Sequence, residues 1–207
     1  MEKDFKKIIS IFFWETGAIK VSIDKPFKMT SGKLSPFYVD CRVLISYPFQ
    51  RDIITAYAQR LLQENKLDDE YIAGGETAGI PFAAWLAEKM QKPFIYVRKQ
   101  PKGHGLTSQL EGHVVSAKTI LLYEDLITDG KSKLNFIAGI RNAGCVVNHC
   151  LVVLDRQEGG EQTLLQEGVR LYSLVSIKDC LEVGMKDNYL SSVEFETIQK
   201  YMEKGEI

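Results

Sequence analysis

Several short stretches of this chain gather side chains suited to anions and sugars. In residues 119–132, TILLYEDLITDGKS, an apolar run leads into two adjacent carboxylates, Glu124 and Asp125. A short loop follows (Leu126, Ile127, Thr128, Asp129, Gly130, Lys131, Ser132) and opens a helix. Amides at a helix N-terminus, helped by the Thr128 and Ser132 hydroxyls, suit a phosphate group. The two carboxylates would repel phosphate. They suit sugar hydroxyls or a hydrated Mg²⁺ instead. The combination describes a phosphorylated sugar lying across a strand end. Gly130-Lys131-Ser132 imitates the tail of a nucleoside-triphosphate loop, but that motif needs glycine where Asp125 stands. A lone Glu-Asp pair would read as a solvated turn capping a helix, and the neighbouring stretches argue against that plain reading.

Residues 73–81, AGGETAGIP, form a glycine turn without the G-x-G-x-x-G spacing of dinucleotide sites. Its glycines let backbone amides approach an anion closely, and Pro81 fits the first turn of a helix. Residues 97–105, VRKQPKGHG, bring Arg98, Lys99, Lys102 and His104 together among turn formers. With a loop running on to about residue 112, this reads as a cationic lid over a polyanion such as pyrophosphate. In LDRQEGG, residues 154–160, Arg156 follows an apolar strand. There it can grip a carboxylate with paired hydrogen bonds, or form an ion pair with Asp155 or Glu158. No G-x-S-x-G, H-E-x-x-H or C-x-x-C occurs, so nothing points to a covalent nucleophile or a zinc site.

These stretches need a scaffold. The 207 residues suffice for one domain with a small added lobe. An apolar content of 45% permits a sizeable core. A net charge of -1 excludes a generally basic nucleic-acid binder. The N-terminal residues mix charge signs without a long apolar run, so neither signal peptide nor membrane span is expected. The four cysteines and three histidines lack zinc-ligand spacing and read as free thiols and isolated imidazoles in a reducing cytosol. Phe5, Ile8, Ile9, Phe12 and Phe13 mark one face of a first helix, with Gly17 as a left-handed cap. Short extended pieces follow and predict a β-rich lobe. From residue 48 the pattern alternates. Helices are expected at 49–64, 81–90 and 132–142, and strands at 71–73, 94–97, 119–123, 146–154 and 170–175. Ser191 and Glu194 form a capping box for a last helix. The fold class expected is α/β, an open parallel sheet flanked by helices with an N-terminal hood of about residues 1–45, a core of about 46–180 and a helical tail. Ligands in such sheets bind outside the carboxyl ends of the strands.

Taken together, the chain resembles the orotate phosphoribosyltransferases. The carrying stretches are residues 30–42 (TSGKLSPFYVDCR), 75–81, 97–105, 124–132 and 155–158. The resemblance implies the type I phosphoribosyltransferase fold with a five-stranded parallel core. It implies Mg²⁺-dependent transfer of phosphoribosyl from 5-phosphoribosyl 1-diphosphate (PRPP) to orotate, in a cytoplasmic homodimer with shared active sites. The metal would be held mainly through PRPP and water. The resemblance gives Lys102, His104 and Asp125 catalytic roles. PRPP would be bound by Arg98, Lys99, Lys102, His104 and residues 124–132, with Glu124 and Asp125 on the ribose hydroxyls. Thr128, Arg156, Phe37 and Tyr38 would address orotate, with Lys33 nearby. Lys131 stands where many members carry a small residue, and would either add a phosphate contact or crowd the loop. A regulatory protein that binds PRPP without turnover and a purine phosphoribosyltransferase are the alternatives. The lid cations speak against the first and Arg156 against the second.

Overall fold

The structure is a computed structural model that describes residues 2–29, 32–101 and 109–204. Lys102 and His104, both expected on the lid, lie outside the described residues. The chain divides into two compact units, Met1–Gln50 with Val175–Ile207, and Arg51–Leu174.

In the first unit, α1 (Glu2–Glu15) buries Ile9, Phe12 and Phe13, and the chain turns at Gly17 with a φ of 69°. Ile8, expected on the same face, is 39% exposed. Strand β1 (Ile19–Val21) pairs antiparallel with β4 (Phe37–Val39), and β2 (Phe27–Lys28) pairs with β3 (Leu34–Ser35). Asp40 caps the 3₁₀ turn Cys41–Ser46 by accepting from the Arg42 amide. The later elements of this unit are α6 (Ile177–Lys186) and α7 (Ser192–Lys204). Ser176 and Asp179 make a reciprocal capping box on α6, as do Ser191 and Glu194 ahead of α7. Trp14 Nε1 donates to the Cys180 carbonyl over 2.8 Å, and its indole lies where Gly184 has no Cβ.

The second unit is a sheet whose strands are β5 (Tyr71–Gly75), β6 (Phe94–Val97), β7 (Leu110–Glu111), β8 (Ile120–Ile127), β9 (His149–Asp155) and β10 (Arg170–Ser176). Their order is β10-β9-β8-β5-β6-β7. The run β9-β8-β5-β6 is parallel, and β7 closes the edge antiparallel to β6. This edge strand is an addition to the five strands expected. Two residues are too few to show a period. The helices are α2 (Pro48–Glu64), α3 (Gly79–Met90), α4 (Lys131–Asn142) and α5 (Gly160–Gln166).

Alternation along β8 sorts its residues between two helical layers. Ile120 and Leu122 join the cluster containing Phe136, Ile137 and Ile140 of α4. Tyr123, on the opposite face, meets Phe82 of α3 with ring centroids 6.3 Å apart. Nearly the whole strand is buried, as expected for a parallel sheet covered on both sides.

All four cysteines are free and buried. Burial pushes the thiols of Cys150 and Cys180 up to about 12. The native protein at pH 8 is therefore expected to react with a disulfide reagent at fewer than about one thiol per chain over minutes, because the thiolate is the reactive form. All four should titrate after unfolding in guanidinium. Rapid native labelling would refute the buried placement.

Candidate active site

Register brings the singled-out stretches to one edge of the sheet. Gly75 pairs with Val97, Gly74 with Tyr123, and Ile127 with Asp155. The glycine turn, Arg98 and Glu124 thus leave neighbouring strands at one level. Strand β8 runs three residues beyond Glu124, to Ile127. Residues Thr128 and Arg156 follow the paired ends of β8 and β9 side by side, and the Arg156 amide donates to the Ile127 carbonyl over 3.0 Å.

The acid pair is split by the strand's alternation. Glu124 shares parity with Ile120 and Leu122, and is only 3% exposed. Its Oε1 accepts from the Gly75 amide at 2.6 Å, and its Oε2 lies 3.1 Å from Lys133 Nζ. Glu124, expected with Asp125 on the ribose hydroxyls, has its carboxylate turned inward here, because the period of the strand continues through it. Burial raises its pKa, against the pull of Lys133. Burial works the other way on Lys133, but Glu124 and Asp125 outweigh it and hold the ammonium pKa up. Asp125, of opposite parity, is half-buried.

In the glycine turn, the anion that the Gly75 amide approaches is Glu124. A Cβ on Gly75 would strike Glu124 Oε1 and the Phe136 ring, and one on Gly79 would overlap the same carboxylate oxygen. Both glycines make room for an internal carboxylate.

Beyond β8, Leu126 and Thr128 are half-buried, Ile127 is buried, and Asp129 and Ser132 are exposed. Gly130, at a φ of 84°, precedes α4 without a side-chain cap. Asp129 Oδ1 accepts from the Lys131 amide at 3.2 Å, so the first-turn amides left for an anion are those of Ser132 and Lys133. Lys131 Nζ lies 2.9 Å from Asp129 Oδ2 with its side chain 84% exposed, so it does not crowd the loop. The hydrogen bond from Lys131 lowers the Asp129 pKa.

The base of the cationic stretch is tied down. The Glu76 carboxylate accepts from the Lys99 amide at 2.9 Å, and Asn135 of α4 donates to the Lys99 carbonyl at 2.8 Å. Arg98 Nη1 lies 3.5 Å from Glu111 Oε1. Arg156 is 3% exposed, with Nη2 2.8 Å from Glu158 Oε1, the ion pair weighed from sequence. In the first unit Tyr38 is half-buried and Lys33 exposed. The Phe37 ring is fully buried, edge-on to Tyr201 at 6.0 Å.

Sequence reasoning missed Lys133, Glu76 and Asn135. Lys133 was legible in principle: a lysine three residues into a helix, on the face of Phe136, Ile137 and Ile140, has to find a buried partner.

An open parallel sheet with an acid-bearing strand, an uncapped helix start and a tethered cationic stretch at its carboxyl edge defines a phosphoribosyltransferase fold. Orotate phosphoribosyltransferase from Rhizobium rhizogenes is 40% identical over 200 residues, covering 95% of this chain and 86% of the relative. The chain belongs to the orotate phosphoribosyltransferase family. A crystal structure of the Aeropyrum pernix orotate phosphoribosyltransferase matches with a TM-score of 0.77 at 30% identity, over 88% of this chain and 99% of that one. Leishmania donovani UMP synthase shares the fold, with a TM-score of 0.85 at 23% identity. The match covers 96% of this chain, which spans 42% of that longer one. No family model matches the chain.

Replacing Gly79 with Ala is expected to cost about 3 kcal/mol or more of folding stability, because the added carbon meets a carboxylate that cannot leave without being buried unpaired. A urea midpoint unchanged from the parent would show that the carboxylate sits elsewhere.

Proposed function

We propose that this chain transfers the phosphoribosyl group of PRPP to orotate, giving orotidine 5′-monophosphate and pyrophosphate. The observation that carries this reading is the 40% identity to an orotate phosphoribosyltransferase across nearly the whole chain. The strand-end geometry supports it. The Ser132 and Lys133 amides of α4 and the exposed Ser132 hydroxyl take the 5′-phosphate. Asp125 accepts hydrogen bonds from the ribose hydroxyls and stabilises positive charge growing at the anomeric carbon. Arg98 and Lys99 meet the pyrophosphate, joined by Lys102 and His104 of the lid. The bond from C1 to pyrophosphate oxygen breaks as the bond from C1 to orotate nitrogen forms. Orotate is already an anion, so no strong base is required. Lid closure keeps water from hydrolysing PRPP.

Arg156, beside Thr128 at the strand ends, takes the orotate carboxylate. The Phe37 ring, expected near orotate, is enclosed within its own unit, which speaks against its direct contact with substrate. The enzyme works as a homodimer sharing active sites, in the cytoplasm. Among the described residues no helix is long and apolar enough to cross a membrane.

Among the described residues no group of three or more His, Cys, Asp or Glu could cage a metal. The half-buried Asp125 fits a hydrated Mg²⁺ that arrives on the diphosphate, since Mg²⁺ keeps several waters and needs few carboxylates, whereas both Asp129 oxygens are held by Lys131. Bound there, it supplies charge neutralisation for the departing pyrophosphate.

The test is to mix protein, Mg²⁺, PRPP and orotate and follow the loss of orotate absorbance. Turnover with a purine base and none with orotate would overturn the substrate, and PRPP binding without turnover would favour a regulatory protein. Replacing Lys102 with Ala should lower kcat far more than PRPP affinity, because its charge matters most as pyrophosphate leaves. Equal rates in variant and parent would remove it from the chemistry. Replacing Arg156 with Ala should mainly raise the KM for orotate. An unchanged KM would leave the arginine to Glu158 alone.

A further inference from the structure

Lys133 is the third residue of α4 and only 6% exposed. An ammonium so placed is expensive to bury, and its contacts show where that cost is offset. Its Nζ reaches Glu124 Oε2 at 3.1 Å and the Ser132 hydroxyl at 3.3 Å. Glu124 in turn holds the Gly75 amide through its other oxygen. One line of contacts therefore joins the start of α4, the strand carrying Asp125 and the carboxyl end of β5. The contacts between Lys131 and Asp129 lie within the loop and cannot fix it against the sheet. A buried ion pair is a poor device for stability alone, since apolar residues of similar volume often do as well. It is a good device for fixing geometry, because each oxygen of this carboxylate is held by a donor from a different element.

We infer that Lys133 is a positioning residue for PRPP: through Glu124 and Ser132 it sets the first-turn amides of α4 at a fixed distance from Asp125, so that one ligand can engage both. It does not touch the phosphate. A displacement of about an ångström in a site that must meet two ends of one ligand is enough to cost one to two orders of magnitude. The inference rests on reading residues 128–132 as the phosphate loop.

The experiment compares the parent, Lys133→Met and the double variant Glu124→Gln with Lys133→Met. The readouts are the PRPP dissociation constant with Mg²⁺ by calorimetry, both KM values, kcat and thermal stability. Lys133→Met should weaken PRPP binding about tenfold or more and raise its KM in parallel, with the orotate KM within about twofold of the parent. It should also lower stability, because it leaves a carboxylate buried without its cation. The double variant restores the parent's net charge and removes the orphaned charge. It should recover most of the stability yet keep the weakened PRPP binding. That separates positioning from folding, and from the mere loss of a positive charge near a polyanion. PRPP binding within about twofold of the parent in either variant overturns the inference, as does recovery of affinity together with stability in the double variant. A parent that binds PRPP but does not turn over orotate overturns the proposed function and leaves this comparison intact. A parent that does not bind PRPP overturns both.

Discussion

A carboxylate at the end of a buried parallel strand constrains everything around it. Glu124 sits in the layer that Ile120 and Leu122 share with α4, where an isolated ion would be strongly disfavoured. It is tolerated because a backbone amide takes one oxygen and an ammonium the other. Those partners impose sequence in turn. The strand beside it ends in Gly75 and the next helix begins at Gly79, because neither site has space for a side chain. The helix after β8 carries a lysine two positions past Lys131, where its own face would otherwise be apolar. Stretches that read as separate motifs are thus partly one internal arrangement, with the ligand-facing groups arrayed around it.

How much of this was legible follows from the kind of signal each part leaves. The helices and central strands appear in the hydrophobic period, and 94–97 was read with the bounds the structure gives β6. The extension of β8 from 123 to Ile127 does not appear in that period, because two acids interrupt the apolar run. Following the alternation through them would have placed Glu124 on the α4 side and Asp125 on the other. Helices α5 and α6 escaped for different reasons. The first is a single short stretch rich in Glu and Gln, and the second follows β10 directly, so a strand pattern runs into a helical one without a turn residue between. The glycine turn was recognised as an anion contact, but sequence does not tell a ligand from a side chain fifty residues away.

The rim of the sheet divides labour by burial. Inward groups, Glu124 and Lys133, are saturated with internal partners and suit geometry rather than exchange with a ligand. Outward groups are half-buried or exposed: Asp125, Thr128 and Ser132. The cationic stretch begins under restraint, since Glu76 and Asn135 hold the backbone of Lys99 on both sides. That restraint fixes the direction in which the backbone of Lys99 leaves the edge of the sheet.

Arg156 joins an observed ion pair to a proposed substrate contact. The guanidinium is 3% exposed on its side chain, whereas Glu158 is 42% exposed. Breaking the pair therefore costs the two partners unequally. Glu158 returns to water with little loss, while the arginine keeps needing an acceptor within its enclosure. On the proposed reading, a planar carboxylate brought in by the substrate would meet that need and release Glu158 to solvent. On that proposal the preference for an anionic base follows from the buried guanidinium, since a neutral base brings no charge to replace that of Glu158.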